Sequence, residues 1–126
     1  MKDFKKYFLI PAEVADVYMA LTHPNSLLMW TGEPVIMSTE IGSEFSLWSG
    51  NIVGKNLDFK ENKKIVQEWY FGETDHPSIV TIKLHEKGSK TDLEISHTNI
   101  PDADFNDIAA GWKDVYIAGL IEFFEE

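Results

Sequence analysis

The sequence predicts a single α+β domain in which an antiparallel sheet of about six to seven strands packs against a long C-terminal helix. Three observations support this prediction. The 126 residues have the length of one domain and contain no repeat or linker, so we assign residues 1–126 to it. The middle of the chain is a series of strand-like segments, too closely spaced for crossover helices between them. The final segment carries apolar side chains at helical spacing.

The N-terminal part combines one strand with two short helices. Aromatic and aliphatic residues dominate residues 4–10, which predicts a strand that stops at the following proline. Apolar side chains at i, i+3, i+4 and i+7 then predict an amphipathic helix: Val14, Val17, Tyr18 and Leu21. The proline within residues 22–25 ends that helix. Asn25 or Ser26 then caps a second helix, which residues 30–32 close.

The middle of the chain is strand-like throughout. Strands are predicted at residues 35–39, 44–48, 52–59, 64–71, 78–86 and 91–99. Turn chemistry separates them at residues 41–43, 49–51, 60–63, 72–77 and 87–89. Two strands alternate clearly, with these apolar or inward positions: Val80, Ile82, Leu84, Leu93, Ile95 and His97. One face of the sheet is therefore expected to be dry and the other solvated.

The C-terminal segment carries the strongest helical pattern. Residues 104–124 would span about 30 Å as a helix, and Asp102 and Asp104 are placed to cap its N-terminus. The apolar residues that repeat at helical spacing are Phe105, Ile108, Ala109, Trp112, Tyr116, Gly119, Leu120 and Phe123. Ile117 and Ile121 widen this arc, so they are expected to form an outer face where two copies could pair.

Composition excludes several classes of function. Eleven lysines and no arginine against 21 acidic residues give a net charge of −10, which argues against nucleic acid and anionic membranes as partners. The absence of cysteine excludes disulfides and thiolate metal sites. No apolar run approaches the roughly 20 residues of a membrane span. The N-terminus lacks the pattern of a signal peptide, so a cytoplasmic location is expected.

The titratable residues form no recognisable catalytic or metal-binding set. No histidine has a partner at ligand spacing, so His23, His76 and His85 are interpreted as solvated. His97 continues an apolar strand face and is either a hydrogen-bonded interior residue or an acid/base group. Alternation turns Glu68 toward the surface. The other carboxylates expected at the surface are Glu40, Glu61, Glu73, Glu86, Glu94, Glu122, Glu125 and Glu126.

Glycine gives no sign of a nucleotide site. Gly50 and Gly54 flank the start of a strand and are interpreted as turn and bulge positions rather than as part of a phosphate-binding loop. No acid/base pair can be built from the sequence, so no catalytic residue, metal or cofactor is predicted.

One ordered series of residues resembles a known family. The series comprises Gly42, Phe45, residues 49–52, Gly54, residues 64–69, 78–81, 91–93, 100–101, Gly111, Trp112 and Gly119, together with residues 20–24 and Trp30. It is similar to the C-terminal domain of the activator of Hsp90 ATPase family and its stand-alone bacterial relatives. The resemblance implies the helix-grip fold of START and Bet v 1-like (SRPBCC) domains, in which a curved antiparallel sheet wraps the final helix.

The same resemblance directs the functional hypotheses. A grip of sheet on helix can leave a cavity, and the residues expected to line it are Trp30, Phe45, Trp69, Phe71, Ile82, Ile95, His97, Trp112, Tyr116 and Leu120. Ordinary core packing explains these residues equally well. The favoured hypothesis is a non-enzymatic domain that binds a hydrophobic small molecule. The alternatives are a co-chaperone that binds Hsp90 and modulates its ATPase, and a cyclase- or hydrolase-type enzyme that uses His97.

Overall fold

The sheet is antiparallel throughout. The structure is a computed structural model that describes residues 1–72 and 76–125. Within these residues it contains six strands: β1 (Lys2–Ile10), β2 (Glu44–Leu47), β3 (Ile52–Lys60), β4 (Lys64–Trp69), β5 (Ser78–Lys87) and β6 (Lys90–Ile100). Their order across the sheet is β1-β6-β5-β4-β3-β2. The six-stranded antiparallel sheet confirms the predicted fold class.

One predicted strand is wrong. Residues 35–39 form no strand; Ile36 alone makes an isolated bridge to Ser46, with both backbone hydrogen bonds at 2.9 Å. The segment that follows, residues 38–43, instead turns back toward β3, where the Gly42 and Ser43 backbone groups pair with Asn56. Residues 73–75, the middle of the predicted turn at 72–77, lie outside the described residues together with the predicted surface residue Glu73, and so does Glu126.

The alternation predicted for β5 and β6 is confirmed. Val80, Ile82 and Leu84 of β5 are at most 6% exposed, and their partners in β6 are completely buried. These inner positions form the floor of the core, because successive side chains of a strand point to opposite faces. The helices pack on this floor through Val17, Leu21, Leu27, Trp112, Tyr116, Ile117 and Leu120.

Two helices follow β1. They are α1 (Val14–Thr22) and α2 (Pro24–Thr31). Pro24 is the first residue of α2, a position where proline's missing N–H costs nothing. The predicted cap at Asn25 or Ser26 is therefore wrong, since His23 takes the cap position and no side chain bonds there. Gly32 closes α2 with a left-handed φ of 76°, as its place after the helix predicts.

The C-terminal helix (residues 105–124) is irregular. A 3₁₀ turn, Asp102–Asp104, leads into α3 (Phe105–Gly111); a π-helical segment (Trp112–Ile117) follows, and then α4 (Ala118–Phe124). The helical span agrees with the sequence, but the π segment was not predicted.

Two details of the C-terminal helix correct the predictions. Asp102 does not cap the helix, because its carboxylate pairs with the N-terminal amine of Met1 at 2.8 Å. Ile117 is 1% exposed and belongs to the core, and Ile121 is partly buried against the core. The predicted outer face for a second copy is therefore wrong.

Gly54 allows close packing between β2, β3 and β4. It pairs with Phe45 on one side and Trp69 on the other in regular register. The bulge predicted at Gly54 is wrong, since β3 bulges between Asn56 and Asp58. A Cβ added to Gly54 would collide with the Glu68 carbonyl oxygen and would lie 2.8 Å from the Phe45 ring.

We expect Gly54→Ala to lower the free energy of unfolding by about 2 kcal/mol or more, because the new methyl group meets backbone and a packed ring. Urea denaturation measures this change. The matched control is Gly111→Ala, which adds the same methyl group to a helical glycine with nothing within 4 Å. That control is expected to stabilise the protein by about 0.5–1 kcal/mol. Equal effects of the two substitutions would contradict the close approach at Gly54.

Candidate functional site

Two stacked tryptophans join the sheet to the C-terminal helix. Trp69 is the last residue of β4, and Trp112 begins the π-helical segment. Their ring centroids lie 4.9 Å apart with an angle of 21° between the planes, an arrangement typical of stacked aromatic pairs. The two residues are 5% and 2% exposed. Both indole N–H groups therefore need partners inside the protein.

The Trp112 indole is held by a buried polar chain. Its Nε1 donates to His97 Nδ1 at 3.1 Å, and His97 Nε2 lies 2.8 Å from Ser78 Oγ. Ser78 Oγ in turn donates to the Thr98 carbonyl oxygen at 3.1 Å. Because Nδ1 accepts from the indole, the neutral imidazole carries its proton on Nε2 and donates it to Ser78. The direction of every hydrogen bond in this chain is thus determined.

His97 is an interior residue. It is 0% exposed, as its place on the inner strand face predicts. Burial lowers the pKa of His97 to about 4, so the ring is neutral at neutral pH. Both ring nitrogens are engaged within the protein, which satisfies the hydrogen-bonded interior interpretation. Phe71, 6.0 Å away, covers the same ring.

The Trp69 indole is held by a second polar chain. Its Nε1 donates to Gln67 Oε1 at 3.0 Å, and Gln67 Nε2 donates to Asn56 Oδ1 at 3.1 Å. Asn56 Nδ2 then donates to the Ser38 carbonyl oxygen at 3.1 Å and to Ser43 Oγ at 3.2 Å. Gln67 and Asn56 are 3% and 0% exposed. This chain ties the stacked pair to residues 38–43.

A pocket of about 230 Å³ opens beside the stacked pair. Its wall is formed by Trp48, Asn51, Ile52, Trp69, Asp107, Ile108, Gly111, Trp112, Val115 and Tyr116. The residues come from the start of β3, the end of β4 and the C-terminal helix, together with a short turn before β3. The wall is predominantly aromatic and aliphatic, and Asp107 is its only charged member.

The turn before β3 carries backbone strain. Trp48, Ser49 and Gly50 have φ values of 49°, 54° and 93°. Glycine adopts such values freely, but left-handed conformations cost other residues about 1–2 kcal/mol each. The turn directs the Trp48 ring to within 5.6 Å of Trp30 and 5.8 Å of Tyr116, measured between centroids. The strained residues therefore build one side of the pocket.

Tyr116 forms part of the pocket wall. The residue is 4% exposed, and its ring centroid lies 4.5 Å from that of Trp112. Burial raises the pKa of Tyr116 well above its usual range, so the phenol stays protonated. Among the described residues, no buried side-chain nitrogen or oxygen lacks a hydrogen-bond partner, so the Tyr116 hydroxyl is not an orphaned donor.

Three of the ten predicted ligand-binding residues line this pocket: Trp69, Trp112 and Tyr116. Four are packed in the core, namely Phe45, Ile82, Ile95 and Leu120. Trp30 lies behind Trp48 and donates its indole N–H to the Ala20 carbonyl, while His97 and Phe71 lie behind the stacked pair. The rings of Trp69 and Trp112 fill the space between them, so the pocket lies to one side of the predicted position.

Sequence reasoning missed several wall residues and both amide residues of the second polar chain. Ile108, Gly111 and Val115 are spaced three and four residues apart, so they lie on one face of the C-terminal helix. This spacing could have identified them as one wall of the pocket. Gln67 lies on the inner face between Ile65 and Trp69, so alternation did indicate its burial. Nothing local indicated Trp48, because its position depends on the left-handed turn.

One titratable residue differs from its predicted solvated state: Glu94 is 9% exposed, and His85 Nε2 lies 2.9 Å from its carboxylate. His85 itself is exposed, as predicted. The hydrogen bond from His85 lowers the pKa of Glu94 below its usual value. Glu68 is half-buried on the outer face, as expected. Over the described part of the chain, no group of histidine and carboxylate side chains could hold a metal ion.

The burial of His97 predicts a pH dependence of stability. Its pKa is about 4 in the folded protein and about 6.5 when unfolded, so the unfolded chain binds more protons between these values. The contribution is complete above about pH 6.5 and is lost as the pH falls toward 4. Because of His97 alone, we expect the free energy of unfolding, measured in urea, to be about 2 kcal/mol lower at pH 4.5 than at pH 7.

The measurement compares the wild type with His97→Gln. Between pH 7 and pH 4.5, the free energy of unfolding should decrease by about 2 kcal/mol less in His97→Gln than in the wild type. His23→Gln, at an exposed position, is the matched control and should follow the wild type. Parallel curves for the wild type and His97→Gln would contradict the assignment of a neutral buried imidazole.

Comparisons with known proteins agree with this architecture. The profile of the "Activator of Hsp90 ATPase homolog 1-like protein" family matches residues 11–125. Human "Activator of 90 kDa heat shock protein ATPase homolog 1" is 25% identical over 122 residues, 95% of this chain and 36% of the human protein. The Dictyostelium discoideum homolog is 34% identical over 101 residues, 78% of this chain and 26% of its own length. This chain thus spans about a third or less of these relatives.

Two solved structures share the fold over nearly their whole length. An HSP90 activator from Plasmodium falciparum superposes with a TM-score of 0.87 at 23% identity, covering 95% of this chain and 94% of its own. The Aha1 dimer from Colwellia psychrerythraea gives a TM-score of 0.85 at 19% identity, with coverage of 99% and 97%. Among the described residues, no helix has the length and apolarity needed to cross a membrane. With its helix-grip fold and a family match over nearly all of its length, this chain belongs to the activator of Hsp90 ATPase homolog 1-like family.

Proposed function

We propose that residues 1–126 form a single non-enzymatic binding domain that holds a small hydrophobic molecule in the pocket beside Trp69 and Trp112. The observation that carries this proposal is an open, largely apolar pocket with a rigid aromatic wall. Both indole N–H groups are satisfied inside the protein, so these rings present apolar surface to the pocket at no hydrogen-bonding cost. Such convergence of apolar walls and few polar groups is typical of ligand sites.

The size of the pocket limits the ligand. Its volume of about 230 Å³ lies below the range of roughly 300–1,000 Å³ found for drug-sized ligands. A compact ring system or a short aliphatic chain fits these dimensions, whereas a sterol or a long-chain lipid would extend into solvent. The wall is pre-formed, so binding requires little ordering of side chains.

Tyr116 and the pocket rim suggest one polar group on the ligand. The Tyr116 hydroxyl can donate to an oxygen or nitrogen of the ligand, because the residue lines the pocket and its phenol stays protonated. Asn51 and Asp107 are exposed at the rim and can contact a second polar group. The favoured ligand is therefore an apolar body with a hydrogen-bond acceptor near its buried end.

Binding is favoured over catalysis because the wall lacks an acid/base pair. His97, the candidate of the cyclase or hydrolase hypothesis, has both nitrogens occupied and lies behind the stacked rings. Asp107 is the only carboxylate in the wall formed by the described residues, and general acid/base chemistry needs a second group within reach. A cytoplasmic location is part of this proposal, since small secreted domains are typically rich in disulfides and this chain has no cysteine.

We expect 1-naphthol to bind the wild type and Gly111→Leu to weaken that binding by about tenfold or more, because the new side chain occupies the pocket. Gly111 lines the pocket, and nothing lies within 4 Å of a Cβ placed there. An NMR titration that follows the four indole N–H resonances measures this. The largest shifts are expected at Trp48, Trp69 and Trp112.

The matched control is Ala110→Leu, which adds the same side chain to the preceding exposed residue, outside the pocket wall. It should bind 1-naphthol like the wild type. The pocket hypothesis fails if the probe causes no indole shifts, or if Gly111→Leu and Ala110→Leu bind it equally well.

A second candidate function is modulation of the Hsp90 ATPase. Family membership over residues 11–125 supports it, and so does the Plasmodium falciparum HSP90 activator, whose chain is covered over 94% of its length. A domain of this size and fold is therefore compatible with that activity. This chain matches about a third or less of each of these relatives, so the activity of the whole relative is a proposal for this chain.

We expect the purified chain to raise the rate of ATP hydrolysis by Hsp90 in a concentration-dependent way. Its amide resonances should also broaden when Hsp90 is added. An unrelated acidic domain of similar size serves as the control for non-specific effects. Unchanged ATP turnover without line broadening would refute this second function. Gly111→Leu separates the two proposals, since it should weaken naphthol binding by about tenfold or more whether or not Hsp90 is affected.

A further inference from the structure

Three lysines form a row across the outer part of the sheet. Lys60 of β3 pairs with Lys64 of β4, and Lys64 pairs with Lys83 of β5. Directly opposed residues of an antiparallel pair lie on the same face, and neighbouring strands are about 4.8 Å apart. The three side chains therefore start from one line about 10 Å long. We call Lys60, Lys64 and Lys83, together with Lys63 in the adjoining turn, the lysine ladder.

The backbone under the lysine ladder is well fixed. The turn between β3 and β4 is closed by a hydrogen bond of 2.9 Å from Lys63 N to the Lys60 carbonyl oxygen. The Lys63 carbonyl in turn accepts from Leu84 N of β5 at 2.9 Å. Asn62 takes the left-handed φ of 62° that this turn requires. The four lysines thus line one shallow concavity with a volume of about 680 Å³.

The positive charge of the lysine ladder is only partly offset. Lys64 lies 3.7 Å from the Asp58 carboxylate, and Glu86 lies in the same concavity. Lys83 stands directly opposite Glu94 of β6, and its charge helps to lower the pKa of Glu94. Across the residues that the structure describes, Lys60, Lys63 and Lys83 make no ion pair within 4 Å. The concavity therefore carries an excess of positive charge in a chain whose net charge is −10.

The arrangement is unfavourable for the fold alone. Like charges directly opposite each other in an antiparallel sheet are destabilising, and the ladder contains two such pairs in succession. Any polar residue would serve at these solvent-facing positions. Four of the eleven lysines nevertheless meet here, although 21 acidic residues are available in the chain to pair with them. Unfavourable local arrangements that bring no structural benefit, such as opposed like charges, are typical of functional surfaces.

We propose that the lysine ladder docks a short acidic segment of a partner protein. Carboxylates can approach several ammonium groups at once along the row, and each contact removes part of the repulsion between the lysines. The size of the row favours a short segment. A nucleic acid would extend beyond about 10 Å and meet the acidic remainder of the surface, which repels phosphates. This site shares no residue with the aromatic pocket, so it does not depend on either proposed function.

The test measures binding of a fluorescein-labelled hexaglutamate peptide by fluorescence anisotropy. The double variant Lys60→Glu/Lys83→Glu is expected to weaken binding by about tenfold or more. The matched control is Lys87→Glu/Lys90→Glu, which alters another cross-strand lysine pair and changes the net charge equally. That control should weaken binding by less than about threefold, and wild-type affinity should fall between about 50 and 300 mM NaCl.

Each alternative outcome overturns the proposal. No binding of hexaglutamate to the wild type, or equal losses in the two double variants, would show that the ladder is not a docking site. Equal binding of a twelve-nucleotide single-stranded DNA would reject the acidic protein segment as the partner class. Circular dichroism and thermal unfolding of both variants ensure that loss of binding is not loss of folding.

Discussion

The stacked contact between Trp69 and Trp112 is the interaction on which the rest of this structure depends. It joins the last residue of β4 to the centre of the C-terminal helix, and it buries two indole N–H groups. Each buried donor without a partner would cost about 1–3 kcal/mol. Two separate polar chains remove this cost, one through His97 into β5 and β6 and one through Gln67 into β3 and residues 38–43. The aromatic contact thereby couples the position of the helix to nearly every strand.

The two sides of the pocket differ: the tryptophan pair is held rigidly, whereas the turn that carries Trp48 is strained. The tryptophan pair cannot rotate without breaking hydrogen bonds, so it offers a fixed surface. Trp48 closes the pocket from a turn whose backbone stores energy at two non-glycine residues. Tyr116 adds its ring to the same wall. A core selected for stability alone would not keep strained residues in this turn, which is the physical reason for regarding this region as a binding site.

Sequence patterns predicted the fold better than the site. Alternation identified the buried faces of β5 and β6 because a strand's side-chain period is two, whatever the partner. The strand expected at residues 35–39 failed because pairing needs an available neighbour, and only Ile36 finds one in Ser46. Four of the aromatic residues expected to line one space make ring contacts with one another, namely Trp30, Trp69, Trp112 and Tyr116. Which of them stack depends on contacts between distant segments. Alternation along β4 places Gln67 on the inner face, although it was not predicted as part of the site, and its contact with Asn56 depends on the bulge in β3.

The π-helical segment begins at Trp112 and so connects the C-terminal helix to the stacked tryptophan pair. A π turn closes i→i+5 hydrogen bonds and inserts an extra residue, which shifts the side chains that follow. The buried residues of this segment are Trp112, Tyr116 and Ile117. Buried side chains therefore occur both four and five residues after Trp112. A regular α-helix would turn Ile117 away from the face that holds Trp112, because residues five apart point in different directions. The irregular turn thus keeps Tyr116 in the pocket wall and Ile117 in the core at the same time, and the apolar arc read as a possible dimer face is instead the wider inner face of a locally unwound helix.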